Sequence, residues 1–76
     1  MSMKSKLKAR MIEKGITQQQ LAELMGITYQ SISLKMNRKK EFKHTEIYVI
    51  VKVLDLTPFD IYDIFFSENS IYSDVI

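Results

Sequence analysis

The sequence has no cysteine and no tryptophan, and it has only two glycines and one proline among 76 residues. The absence of cysteine excludes disulfides and thiolate metal sites, which are two usual ways of stabilising a small domain. A partner chain is the means of stabilisation that remains open. The scarcity of glycine and proline favours helices, because a sheet-rich chain of this length would need more turn residues.

Long apolar runs and recognisable catalytic groups are also missing. No run is long enough to cross a membrane, and no apolar block follows the basic N-terminal residues, so we expect a cytoplasmic protein without membrane contact. The sequence shows no candidate nucleophile paired with a general base and no glycine-rich phosphate loop. Asp60 and Asp63 resemble solvated residues of an acidic helix. His44 has no second ligand at metal spacing. We therefore expect neither an enzyme nor a bound metal or cofactor.

The charges are unevenly distributed along the chain. Residues 1–44 carry ten basic and three acidic residues, a net charge of +7, whereas residues 45–76 carry one basic and six acidic residues, a net charge of −5. Such an asymmetry favours a polyanionic partner for one end of the protein. Simple solvation of a small helical domain by lysines explains the basic residues almost as well.

Capping residues and apolar spacing predict five helices. Gly15 ends the first helix, and Thr17 caps the second, with Gln20 at the capping-box position three residues later. Gly26 closes the second helix and Thr28 caps the third. The apolar residues between these caps recur at helical spacing and predict an all-α fold. The predicted helices cover about residues 4–14, 17–25, 28–36, 45–54 and 57–66.

The second half of the chain has its own start signals. Thr45 is the predicted cap of the fourth helix, and Thr57 caps the fifth, with Pro58 in the first turn, where its missing N–H costs nothing. Residues 37–43 form a basic loop in which Phe42 is the expected anchor. The last ten residues are a weak strand candidate or a frayed end. We therefore divide the chain into a helical domain, residues 1–66, and a tail, residues 67–76.

The tight connection between the second and third helices is the most informative feature. Ala22 has to be small because the third helix crosses close to it, Gly26 permits the positive φ of a sharp turn, and Ile32 fixes the third helix onto the first two. This pattern is typical of a helix-turn-helix, and it leaves free the side that a recognition helix presents to base edges. The residues on that side are Thr28, Tyr29, Gln30, Ser33 and Leu34.

These residues resemble a known family. Residues 16–27, ITQQQLAELMGI, look very like the second helix and turn of the lambda-repressor-like helix-turn-helix family, which includes phage Cro and repressor proteins. Residues 31–37 and 39–42 are similar to a Cro-like branch found in phages and mobile elements of Gram-positive bacteria, and the likeness extends through residues 60–66. The resemblance implies a compact five-helix DNA-binding domain followed by a short tail.

The sequence departs from the family pattern at two positions. Lys35 stands where the family often has an apolar residue, so we expect Met36 to do the packing instead. Arg38 stands where the family often has a glycine, so we expect Asn37 to take the left-handed turn, which asparagine tolerates. Neither departure removes the surface that would read DNA.

The resemblance also implies roles for individual residues. Residues 28–36 would form the recognition helix, in which Gln30 suits adenine because its amide both donates and accepts, and Leu34 suits a thymine methyl. The residues implied to contact phosphates are Gln18, Gln19, Asn37, Arg38, Lys39 and Lys40. Three alternatives stay open: the glutamines could be solvated helix surface, Tyr29 could pack against its own helix, and Leu34 could be a core residue.

The resulting expectation is a sequence-specific transcriptional regulator of Cro or repressor type. It would bind a near-palindromic double-stranded DNA operator as a homodimer, with phosphate contacts added by the N-terminal lysines Lys4, Lys6 and Lys8. The expected dimerisation residues are Phe65, Phe66, Ile71 and Tyr72, although the two phenylalanines could instead complete the monomer core.

Two other functions remain open. One is a small phage-type helix-turn-helix protein that binds a repressor protein, an antirepressor, for which Tyr29, Leu34 and Met36 would supply apolar contacts. The other is the antitoxin of a toxin–antitoxin pair, although the sequence offers no toxin-binding segment beyond the short tail.

Overall fold

The computed structural model describes residues 2–67, and all regular secondary structure in this range is helical. The helices are α1 (Met3–Lys14), α2 (Gln18–Met25), α3 (Tyr29–Met36), α4 (His44–Leu54) and α5 (Pro58–Ile61), which continues directly into a π-helical segment (Tyr62–Phe66). The predicted all-α fold with five helices is confirmed for this part of the chain. Within the same range, no helix is both long and apolar enough to span a membrane. Ile71 and Tyr72 lie outside the described residues.

The predicted caps at Gly15, Thr17 and Thr28 are confirmed. Gly15 ends α1 in the left-handed conformation, with φ = 68°. Thr17 and Gln20 form a complete capping box at the start of α2: the Thr17 hydroxyl accepts from the Gln20 N–H at 3.1 Å, and the Gln20 side-chain oxygen accepts from the Thr17 N–H at 2.9 Å. Thr28 accepts from the Ser31 N–H at 3.1 Å and begins α3. Local sequence therefore determines where these helices begin and end.

The start of α4 differs from the prediction, which placed the cap at Thr45. The helix begins at His44, and Lys43 occupies the N-cap position. A lysine side chain cannot accept a hydrogen bond, but the carboxylate of Glu46 accepts from the Lys43 N–H at 2.9 Å. The glutamate three residues into the helix therefore fixes the boundary two residues earlier than the threonine indicates.

The fifth helix begins as predicted and ends unusually. Thr57 caps it and Pro58 lies in its first turn. After Ile61 the chain winds into the wider π-helical segment, whose carbonyl at Asp63 accepts from Lys6 Nζ of α1 at 2.9 Å. The segment is thereby attached to the first helix.

The core lies where all these helices meet. Ile32 and Met36 of α3 are buried as predicted. Two apolar residues of the helices lie outside this core: Leu24 retains 56% of its accessible surface and Phe59 retains 71%. The largest fully buried side chains are Leu7, Leu21, Ile32, Met36, Ile50, Leu54 and Ile64.

Candidate nucleic-acid interface

Helices α2 and α3 are joined by residues 26–28. Gly26 has φ = 72°, and its N–H donates to the carbonyls of Ala22 and Glu23, while the Ile27 N–H donates to Ala22 at 3.0 Å. A Cβ at Gly26 would meet nothing within 4 Å, so the positive φ and not the available space requires glycine here. The turn is therefore set by backbone conformation, as the sequence predicted.

The inner face of this α2–turn–α3 unit is closely packed. Leu21, Ala22 and Ile32 have no accessible surface. Ile27 in the turn is partly buried and packs against the same core. With its inner face buried, α3 has a fixed rotation about its own axis, which determines the residues that face solvent.

The outer face of α3 exposes a mixed polar and apolar surface. Tyr29 retains 46% of its accessible surface and Leu34 retains 41%, so Leu34 is not a core residue. Gln30 is exposed, and no hydrogen bond joins its side-chain amide to any other residue in the range 2–67. Both the donor and the acceptor of this amide are therefore available to a partner.

The two hydroxyl residues of the predicted face are placed differently. Thr28 is exposed, but its oxygen already accepts the bond that caps α3. Ser33 is only half-exposed, and its backbone carbonyl accepts from the side chain of Asn37 at 2.8 Å. Thr28, Tyr29, Gln30 and Leu34 are thus all exposed, and Ser33 is the less accessible member of the set.

The three consecutive glutamines of α2 have three different surroundings. The amide of Gln19 donates to Glu23 at 3.2 Å on the helix surface, and the amide oxygen of Gln20 completes the capping box. Gln18, the first residue of α2, is half-buried, and its side chain makes no hydrogen bond within the described part of the chain. Gln18 is therefore the glutamine best placed to bind an anion together with the helix N-terminus.

The basic loop, residues 37–43, begins with a left-handed turn at a different residue from the one predicted. Asn37 has φ = −91°, and Arg38 is the residue with positive φ, at 61°. The Asn37 amide donates back to the Ser33 carbonyl, so Asn37 continues the helical turn, and the reversal falls one residue later. The prediction that Asn37 takes this conformation is wrong. For arginine the conformation costs about 1–2 kcal/mol.

Lys35 is itself buried, although the sequence predicted that Met36 would pack in the core in its place. Its ammonium nitrogen lies 2.7 and 2.6 Å from the two carboxylate oxygens of Glu46, and each of the two side chains is only 8% exposed. Burial raises the pKa of Glu46, but the bonds from Lys35 and the Lys43 N–H, with the charges of both lysines, outweigh it and leave the pKa below its usual value. Lys35 and Met36 therefore both contribute to the interior.

Ion pairs connect the basic first half to the acidic second half. Lys6 Nζ lies 3.0 Å from Asp63, and Arg10 lies 2.7 Å from Asp60. A bond from Thr57 lowers the pKa of Asp60 more than burial raises it, and the charge of Arg10 lowers it further. The expectation that Asp60 and Asp63 are merely solvated is wrong, because both hold cations of α1.

A family described as "Protein of unknown function (DUF739)" matches residues 1–68. The chain belongs to the DUF739 family. No curated protein and no solved structure matches it.

In this DUF739 protein several cations outside those ion pairs lie at the end of α3. Arg38, Lys39 and Lys40 are exposed and form no salt bridge within residues 2–67. Lys4 reaches the same place from α1, with Nζ 3.4 Å from the Asn37 side-chain oxygen. A cluster of cations without a salt bridge therefore lies at the end of α3, although Lys8, Lys43 and Lys52 also form none within the described range.

The residues expected to form a dimer are separated by the fold. Phe65 is 7% exposed and packs edge-to-face on Phe42 at a centroid distance of 5.9 Å, so it completes the monomer core and Phe42 anchors the basic loop as predicted. Phe66 retains 47% of its surface. Phe66 is therefore the member of the set within residues 2–67 that faces solvent.

Glu46 is the residue at this site that the sequence reading missed. Two signals pointed to it: a lysine at a core position of α3 requires a carboxylate partner, and a glutamate lies three residues after the last residue of the basic loop. Neither signal alone identifies the pair, because Lys35 and Glu46 are eleven positions apart.

Proposed function

We propose that this DUF739 protein is a sequence-specific DNA-binding transcriptional regulator of Cro or repressor type, with α3 as its recognition helix. The observation that carries the proposal is the cluster of exposed, unpaired cations at the end of α3. Lys6, Arg10 and Lys35 are neutralised by carboxylates of the second half, whereas the loop cations beside α3 are exposed and unpaired. A phosphate backbone is the partner that such a cluster, next to an exposed helix, fits best.

The base-reading part of the proposal assigns α3 to the major groove. Gln30 lies in the first turn of the helix, where recognition residues reach base edges, and its free amide matches the N7 and N6 groups of adenine. Leu34 lies one helical turn later and would contact a thymine methyl. Tyr29 would contact either a phosphate or a thymine methyl beside it.

The phosphate-binding part assigns both flanks of α3. Gln18 and the N-terminal N–H groups of α2 would hold one strand. Arg38, Lys39 and Lys40 would hold the backbone near the other end of the recognition helix and set its register rather than its sequence preference. The left-handed conformation of Arg38 supports this assignment, since strained residues are often retained where function requires their side chains.

The experiment that tests the proposal is selection of binding sites from random double-stranded DNA, followed by titration at fixed salt. We expect one enriched, near-palindromic sequence that binds at least about 10³-fold more tightly than its scrambled version. Equal binding of both DNAs at every salt concentration would contradict sequence-specific regulation. The variant R38A/K39A/K40A is the control for contacts to the DNA backbone, and it should bind both the selected and the scrambled DNA more weakly than wild type.

The proposal includes a homodimer, because recognition of a palindrome places two α3 helices about 34 Å apart. The exposed Phe66, together with Ile71 and Tyr72 of the tail, is the proposed contact. We expect sedimentation of the full chain to give the dimer mass and a chain ending at Ser67 to give the monomer mass. An unchanged mass would remove the tail from the interface. The endpoint at Ser67 preserves its hydroxyl near Lys6.

A second candidate function is protein binding by the same helix, as in an antirepressor. The observation in its favour is that two large apolar side chains, Tyr29 and Leu34, are about half-exposed on α3. DNA binding requires the side chains of Gln30 and Lys39, whereas repressor binding through Tyr29 and Leu34 does not. If Tyr29→Ala and Leu34→Ala abolish function in the cell while Gln30→Ala and Lys39→Ala preserve it, the protein-binding candidate is favoured.

A further inference from the structure

One carboxylate joins the two ends of the basic loop. Glu46 Oε1 accepts from Lys35 Nζ at 2.7 Å and from the Lys43 N–H at 2.9 Å, and Oε2 accepts from Lys35 Nζ at 2.6 Å. Lys35 lies just before the loop and Lys43 is its last residue. The segment that carries Arg38, Lys39 and Lys40 is therefore closed at its base by a single side chain.

Other contacts fix the two arms of the loop but do not connect them to each other. The Lys39 and Lys40 N–H groups both donate to the Leu34 carbonyl, at 2.8 and 3.3 Å, which attaches the first arm to the end of α3. Phe42 packs on Phe65 and attaches the second arm to the C-terminal core. Glu46 is the residue that links the two arms directly.

Because this ion pair is buried, its contribution to stability alone does not explain why it is present. Desolvation of two charges that are each 8% exposed offsets much of their attraction, and apolar residues of similar size often replace such a pair without loss. An apolar pair, however, would not hold the Lys43 N–H and the end of α3 on one group. The geometry that the pair imposes is a better explanation for its presence.

We infer that Glu46 is a positioning residue, which fixes the basic loop so that its cations meet the DNA backbone in register with α3. The role of the cations rests on the proposed function, whereas closure of the loop is a property of the free protein. Glu46 itself touches no DNA in this arrangement. Its effect on binding passes through Lys35, the Lys43 backbone and the loop between them.

The test compares two matched double variants of the full chain. K35M/E46Q removes the ionic link to α3, keeps the length of the lysine stem, and leaves the glutamine oxygen to accept the Lys43 N–H. R10M/D60N makes the same kind of change at the other ion pair that is built on a cap, where Asp60 accepts from the Thr57 N–H at 3.0 Å. The Arg10–Asp60 pair joins α1 to α5 and includes no residue of the basic loop.

The first readout is amide hydrogen exchange in the free protein. We expect the Lys39 and Lys40 amides to exchange about tenfold faster in K35M/E46Q than in wild type, relative to the core amide of Ile50, and to be unchanged in R10M/D60N. Unchanged loop exchange in K35M/E46Q overturns the inference whatever the DNA result. If K35M/E46Q and the apolar variant K35M/E46M both fail to fold while R10M/D60N folds, the pair is purely structural and the inference is also overturned.

The second readout is a double-mutant cycle that combines K35M/E46Q with the loop-cation variant R38A/K39A/K40A. It is measured by the salt dependence of DNA binding. In wild type, R38A/K39A/K40A should reduce the slope of log K against log salt by about 2–3, and in K35M/E46Q by about 1 or less. Equal reductions in both backgrounds would contradict positioning. If wild type binds no DNA, the proposed function fails, and loop exchange alone then decides whether Glu46 closes the loop.

Discussion

Arg10 donates from its guanidinium to Oδ1 of Asp60 at 2.7 Å, although the two residues are 50 positions apart in the chain. The other oxygen of the same carboxylate accepts the Thr57 N–H and so completes the cap of α5. Glu46 has the same dual role at the start of α4, with Lys35 as its cation. In both places a carboxylate that begins a late helix also holds a cation from an earlier one.

This relationship predicts loss of stability in acid. The pKa values of Glu46 and Asp60 are lowered in the folded protein from their ordinary values of 4.5 and 3.8. At a pH above its pKa in the unfolded chain, each of these carboxylates contributes to the stability of the fold. This contribution is lost as the pH falls through its lower pKa in the folded protein. We expect the free energy of unfolding, measured with urea, to be constant from pH 7 to about pH 5 and to fall below that.

The control for this prediction is R10M/D60N, which removes one of the two carboxylates. Its free energy of unfolding should depend less steeply on pH below about pH 4 than that of wild type. Identical acid profiles for the two proteins would show that the Asp60 cap and ion pair do not contribute to the loss.

The strained Arg38 predicts opposite effects on stability and on DNA binding. Because Arg38 has φ = 61°, Arg38→Gly should raise the free energy of unfolding by about 1 kcal/mol. The same change removes a cation beside α3 and should weaken DNA binding. Urea unfolding and a DNA titration of the same preparation measure the two effects.

Asp55 supplies the matched control, since it also has positive φ, at 53°, and lies at the end of α4. Asp55→Gly should relieve a smaller strain, because aspartate tolerates this conformation better than arginine, and it should leave DNA binding unchanged. Equal losses of DNA binding in both glycine variants would argue against a specific role for Arg38.

The loop lysines predict a measurable change in salt dependence. Lys39→Ala should weaken binding to all DNA sequences alike and reduce the slope of log K against log salt by about one. Lys14→Ala removes the same charge at the end of α1, where the ammonium lies 4.0 Å from Asp55, and should leave the slope unchanged. If the two variants shift the slope equally, net charge and not the loop determines binding.

Most of the fold could be predicted from the sequence, because its signals are local. Thr17, Gly26 and Thr28 mark helix ends through bonds to neighbours three or four residues away, so the residues that form each cap are close together in the sequence. Ala22 and Ile32 could be assigned to the interior because apolar spacing on a helix determines which face is buried.

The ion pairs could not be predicted in the same way. Lys6 and Asp63 are 57 positions apart, and nothing near either residue identifies the other as its partner. The charge asymmetry of the sequence therefore overstated the positive charge available to a partner. The structure removes Lys6, Arg10 and Lys35 from that charge and leaves Arg38, Lys39 and Lys40 at the end of α3 without a salt bridge within residues 2–67.

The basic loop shows a different limit. One residue after α3 was expected to be left-handed, and Asn37 was the predicted one because asparagine tolerates that conformation. The choice failed because the Asn37 side chain is already used to bond the Ser33 carbonyl, which keeps its backbone near the helical region. Competition between two uses of one residue is not visible from propensity alone.

The most direct measurement is the base preference of Gln30→Ala over a complete set of single-base variants of the selected operator. If α3 reads the major groove, this variant should lose preference at one base pair in each half-site, at a cost of about 1–3 kcal/mol, and keep wild-type preference elsewhere. Gln19→Ala, a glutamine change on the surface of α2, should leave the base preferences intact. Loss of preference confined to that position supports α3 as the recognition helix, whereas an unchanged preference profile for Gln30→Ala contradicts it.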